Sequence, residues 1–134
     1  LLRALAGAGV RSAIITNGLV CLAERFRRDF GVERIYGNRV EANGSRLTGG
    51  VKLDVPFSAK GGVLEGLARE LGLVSDEVAA VGDGRADVEM FRFPGTSVAF
   101  CPGHRDVAEE ATHVVRERDL RGLLPLLTKG ANQR

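Results

Sequence analysis

The chain has 134 residues, 44% of them hydrophobic, and a formal net charge of +2 from 19 basic and 17 acidic side chains. That length supports one domain with a real core, no apolar run is long enough to span a bilayer, and no charged-then-apolar leader opens the chain. Near-neutral charge, scattered arginines and few aromatics weigh against nucleic acid as a partner. Cys21 and Cys101 have neither metal nor redox spacing, so two reduced thiols in a cytoplasmic protein are expected.

The sequence opens inside a helical pattern, Leu1-Leu2-Arg3-Ala4-Leu5, as a truncated sequence would. Residues 10–16 read as a strand ending at Asn17-Gly18. Leu19, Leu22, Ala23, Phe26 and Phe30 then recur at helical spacing, with Gly31 as the stop. Residues 33–42 and 46–55 flank Asn43-Gly44-Ser45, a hairpin signal, with Val40, Leu47, Val51 and Leu53 as candidates for the core. A second helix follows Pro56, with Ser58 as its cap, an apolar stripe of Val63, Leu64, Leu67, Ala68 and Leu71, and Gly72 as its end.

Residues 78–81 are small or β-branched and read as a strand buried on both faces. Gly82-Asp83-Gly84 breaks it, and a helix over residues 87–93 begins with Asp87. A strand over 96–101, a helix over 104–111, a strand over 112–116, a helix over 120–127 and a frayed tail over 129–134 complete the chain. His104 and His113 share no ligand spacing and read as structural or exposed. Strands alternating with helices predict an α/β fold: a parallel sheet with helices on both faces, interrupted by the hairpin.

Three loops carry chemistry. Asp83 and Asp87 place paired carboxylates at the carboxyl end of a strand, where open α/β sheets bind ligands and where a hard cation such as Mg²⁺ finds oxygen donors. Read alone, Gly82-Asp83-Gly84 is better taken as a strand-to-helix turn with a capping Asp. Thr16-Asn17-Gly18 reads as a strand-to-helix loop, able to hold a phosphate or simply to cap a helix. Lys60, in the first turn of its helix, opposes the helix dipole and therefore suits a bound anion, with a solvated surface lysine as the alternative.

In this order the three loops resemble the haloacid dehalogenase superfamily, in its phosphoserine phosphatase branch, over nearly the whole chain. Ile14-Ile15-Thr16-Asn17-Gly18 resembles the second motif, Ala59-Lys60-Gly61 the third, and Val81-Gly82-Asp83-Gly84-Arg85-Ala86-Asp87 the fourth. Tyr36-Gly37-Asn38-Arg39-Val40, Asn43-Gly44 and Leu47-Thr48-Gly49 resemble the branch's hairpin; Val98-Ala99-Phe100-Cys101 and Arg118-Asp119-Leu120-Arg121 resemble its C-terminal section. The resemblance implies a Rossmann-like core and a Mg²⁺-dependent phosphatase acting through an aspartyl-phosphate on a small, phosphoserine-like metabolite. It also implies the roles. Thr16 and the N–H groups of Asn17 and Gly18 would bind phosphoryl oxygens. Lys60 would neutralise charge, Asp83 would ligate Mg²⁺, and Asp87 would bind the metal or orient Lys60.

Two departures stand out. The branch usually has Asn where this chain has Ala86, with Arg85 beside it as a possible substitute. The first motif, an Asp-x-Asp that supplies nucleophile and general acid/base, occurs nowhere in these residues, nor does the substrate-selecting cap that follows it. Residues 1–134 are therefore expected to form one partial core domain, inactive alone, with a non-catalytic remnant or split-protein binding module as the alternative. In the superfamily the missing motif's strand lies between those of residues 10–16 and 78–82. Its removal would leave two edges about 10 Å apart, to be filled by an absent upstream segment, by direct pairing, or by a strand from another chain. The first is the expectation.

Overall fold

The computed structural model describes residues 1–129; of the expected tail, residues 130–134 lie outside the described residues. α1 (Leu2–Gly7) leads into β1 (Ala13–Leu19) and α2 (Val20–Phe30), then a hairpin of β2 (Arg34–Asn43) and β3 (Arg46–Lys52). α3 (Lys60–Glu70) and β4 (Ala79–Gly82) follow, then a 3-10 turn over Arg85–Phe91, β5 (Thr96–Phe100), α4 (Arg105–Glu110) and β6 (His113–Val115). A second 3-10 turn, Leu120–Leu123, runs into α5 (Leu124–Leu127).

The fold is α/β, and its strands form two three-stranded sheets, β1-β2-β3 and β4-β5-β6. β1 and β2 are parallel, as are β4, β5 and β6; only the β2–β3 hairpin is antiparallel. β1 and β4 are not hydrogen-bonded neighbours, so the two halves do not close into direct pairing. They share a core instead. Leu64 of α3, Ala80, Met90, Phe91, Ala99 and Val107 form a buried cluster, and Ile15 of β1 packs against it. α3 lies against both β1 and the Arg85–Phe91 turn. Burial of Leu64 and Leu67 on that helix contributes about 1.5–3 kcal/mol each.

Both long helices stop where glycine permits. Gly31 adopts φ 72° and donates its N–H to the Arg27 carbonyl, closing α2. Gly72 adopts φ 67° just past α3.

Several expectations are corrected. β4 is not buried on both faces: Ala79 is exposed and Ala80 buried. β4 lies at the edge of its sheet, and β5, which has a partner on each side, holds the fully buried Ser97, Val98 and Ala99. Leu47 and Val51 are exposed on β3, an edge strand that nothing among the described residues covers, and Leu53 is exposed just past its end. Leu22 points outward, although it matches the helical spacing. Ser58 does not cap α3; Ala59 stands at that position, with no side-chain cap. The residues after Asp83 wind as a tight 3-10 turn beginning at Arg85, not as an α-helix beginning at Asp87. Both histidines are exposed.

Candidate active site

The site forms where α3 and the Arg85–Phe91 turn meet beside β1. Lys60, the first residue of α3, is 9% exposed. Its ammonium lies 2.6 Å from Asp87 Oδ1. Asp87 is buried as well, and its other oxygen accepts the Asp83 N–H at 3.0 Å and the Gly84 N–H at 3.1 Å. One carboxylate thus fixes both the lysine and the loop that carries Asp83. A paired buried charge of this kind is stable only while every partner is present.

Two glycines permit the approach. A Cβ on Gly82 would collide with the Asp87 side chain, and a Cβ on Gly61 would lie 2.7 Å from the Glu89 carbonyl oxygen. Neither collision has room to relax, because the first neighbour is locked by three hydrogen bonds and the second is backbone.

Asp83 is exposed at the carboxyl end of β4, and none of the described residues pairs with its carboxylate. It borders a cleft of about 650 Å³ that Phe100, Cys101, Arg118 and Leu120 also line. Among the described residues no group of three or more His, Cys, Asp or Glu side chains could hold a metal. The donors nevertheless fit Mg²⁺, which commonly takes one or two carboxylates and completes its shell with phosphate oxygens and water. Asp83 is the available ligand. Asp87 was a candidate as well, but its oxygens are engaged by Lys60 and two backbone N–H groups.

The Thr16-Asn17-Gly18 segment differs from the loop expected of it. β1 continues in extended form through Leu19, which pairs with Asn38 after a shift in register, and α2 starts only at Val20. Residues 16–18 therefore precede the helix's free N–H groups. The Gly18 N–H is already taken by Thr16 Oγ1 at 2.9 Å. The Asn17 amide donates to the carbonyls of Val55 and Pro56. The Thr16 hydroxyl proton and the Lys60 ammonium stand as the candidate donors for an anion, and the Gly18 N–H does not.

Comparison with known proteins places the chain in a family. The model of haloacid dehalogenase-like hydrolases matches residues 1–92, which include Thr16, Lys60, Asp83 and Asp87. The chain belongs to the haloacid dehalogenase-like hydrolase family. Within it, the chain is 32% identical to a phosphoserine phosphatase of Methanocaldococcus jannaschii over 113 residues, 84% of this chain and 53% of that protein. It is also 32% identical to one from Archaeoglobus fulgidus, over 95% of this chain and 37% of that protein. A solved phosphoserine phosphatase with bound substrate superposes with a TM-score of 0.85 at 29% identity, covering 94% of this chain and 60% of that one. A phospho-aspartyl intermediate analogue of phosphoserine phosphatase gives 0.84, with the same identity and coverage. The chain thus spans between 37% and 60% of the length of these four relatives.

Sequence reasoning missed Asn38, Gly61 and Gly82 as parts of this site. Gly82 and Gly61 each adjoin a candidate residue, which is a signal of close approach. Asn38 lies between Gly37 and Arg39 in β2 and is only 4% exposed, a burial that its sequence neighbours do not signal. Arg85 does not replace the amide that Ala86 lacks: its Nε lies 2.8 Å from Asp106 Oδ2 on α4. That hydrogen bond holds the Asp106 carboxyl below the usual carboxylate range.

Proposed function

We propose that this chain forms the phosphate- and metal-handling part of a phosphomonoester hydrolase of the phosphoserine phosphatase type. Its substrate is a small phosphorylated metabolite, and neither nucleic acid nor membrane takes part. The observation that carries the reading is the nearly dry Lys60 ammonium, held 2.6 Å from Asp87 beside the exposed Asp83.

Each residue then has a task. Thr16 donates its hydroxyl hydrogen to a phosphoryl oxygen. Lys60 places a full positive charge next to the same group, where low water content strengthens the attraction. Asp87 keeps that charge in place and holds the Asp83 loop closed. Asp83 is the residue that would hold Mg²⁺, which when bound supplies charge neutralisation at the phosphoryl oxygens. The attacking carboxylate, which would form an aspartyl-phosphate, is not among these residues, since no Asp-x-Asp occurs in the sequence. The nucleophile is assigned to a strand inserted between β1 and β4, each of which has one edge that pairs with no other described strand. The same edges favour a second reading, a split-protein module that accepts a strand from a partner chain. The free thiols Cys21 and Cys101 suit the reducing cytoplasm. No helix among the described residues is long and apolar enough to cross a membrane.

Titration with inorganic phosphate, read by amide NMR, tests the proposal. Shifts at Thr16 and at residues 59–61 that vanish in Lys60→Met support it. Saturation elsewhere, or none at all, refutes it.

A further inference from the structure

Asn38 is 4% exposed, and all of its hydrogen bonds go to backbone. Its amide donates to the Asn17 carbonyl at 2.8 Å and to the Val55 carbonyl at 3.2 Å. Its Oδ1 accepts the Val55 N–H at 2.8 Å. From the other side, the Asn17 amide donates to the Val55 carbonyl at 3.1 Å and the Pro56 carbonyl at 2.9 Å. The Pro56 carbonyl also accepts the Ala59 N–H at 3.1 Å, and Ala59 is the residue before Lys60. An unbroken series of bonds thus runs from the strand end that carries Thr16, through two asparagine side chains, to the turn that launches α3 and its Lys60.

We infer that Asn38, with Asn17, is a positioning residue that fixes the separation of the Thr16 hydroxyl from the Lys60 ammonium. The inference rests on the proposed phosphate role of those two groups. The physical reason is that no helix or sheet ladder joins the two segments. α3 has no side-chain cap, and the chain from Leu53 to Ala59 belongs to no strand. Without the asparagines, the carbonyls of Val55 and Pro56 lose the side-chain donors that pull them toward β1. A buried carbonyl left without a donor turns toward water, and the start of α3 moves with it. Asn suits the position because one planar amide both donates and accepts; Asp would keep the acceptor and lose the donors.

The test uses the 134-residue chain with Asn38→Ala and, should that fail to fold, Asn38→Asp. Without ligand, both Thr16–Gly18 and Ala59–Gly61 should show shifted amides and faster hydrogen exchange, while β5 stays unchanged. Changes confined to residues 36–40 and 53–56 would overturn the inference. With inorganic phosphate as probe, affinity should fall about tenfold, the size of one charge-assisted hydrogen bond put out of place. Combining Asn38→Ala with Thr16→Ala should cost less than the sum of the two, because both act through one contact. Unchanged affinity, or strictly additive losses, would assign Asn38 a purely structural role. If the unmodified chain binds no phosphate, it is the phosphatase reading that fails, and the ligand-free arm still decides the role of Asn38.

Discussion

Replacing Asp87 with Ala removes one carboxylate and leaves three groups without their partner. The Lys60 ammonium, whose side chain is only 11% exposed, loses its counter-charge at 2.6 Å. The N–H groups of Asp83 and Gly84 lose their acceptor. Breaking a buried pair from one side costs about 3–5 kcal/mol. The two N–H groups are part-buried, so water recovers much of their further cost of roughly 1–3 kcal/mol each. We expect a net loss of about 3–5 kcal/mol, a large share of a domain's total of roughly 5–15 kcal/mol. At this chain length each kcal/mol lowers Tm by about 4 °C, so the transition should fall by about 12–20 °C. Asp87→Asn keeps an acceptor for the loop and should lose less. The double variant Lys60→Met with Asp87→Asn should recover much of the loss, because it buries no unpaired charge. Urea denaturation of the parent chain, these three variants and Lys60→Met alone measures this. A loss below about 1 kcal/mol for Asp87→Ala, or a double variant as unstable as the sum of its parts, would refute the idea that a buried ion pair holds the site together.

Mg²⁺ alone should bind weakly, through Asp83, and Asp83→Asn should abolish the NMR shifts it causes; micromolar saturation that survives the substitution would contradict this. Arg121 hydrogen-bonds Asp119 and holds its carboxyl down at about 2. Because the folded value is the lower one, the associated stability is fully present above the unfolded value of about 4 and is lost as pH falls through about 2. A pH titration of the Asp119 carboxyl carbon checks both ends of that window. In a longer protein that carries the nucleophile, Lys60→Ala should cost about 10²–10³ in kcat, against about tenfold for Thr16→Ala. Steady-state kinetics giving the reverse order would refute that ranking.

The alternation of strands and helices was legible because apolar spacing and glycine stops are local. Gly31 and Gly72 end α2 and α3 as the sequence indicates. Burial was less legible where it depends on a neighbour that spacing cannot reveal. Residues 78–81 have the composition of an inner strand, yet β4 is an edge in this sheet. Leu47 and Val51 alternate like core residues and stand exposed on the edge strand β3 for the same kind of reason. At the site, the sequence picked out Lys60, Asp83 and Asp87 as charged residues at element ends. Spacing alone did not show that Lys60 and Asp87 pair, because they lie 27 positions apart and the packing of α3 on the following turn joins them; the family resemblance offers Asp87 as either a metal ligand or the residue that orients Lys60. The asparagine link was hidden too, since its partners are backbone carbonyls and carry no residue identity.

In the proposed function, these residues position and neutralise a phosphoryl group but do not attack it. Hydrolysis of O-phosphoserine by the purified 134-residue chain, with and without Mg²⁺, tests that claim most directly. The expected result is release of phosphate no faster than in buffer. Mg²⁺-dependent turnover that disappears in Asp83→Ala would contradict it, and would mean that another carboxylate or a water of this chain performs the attack.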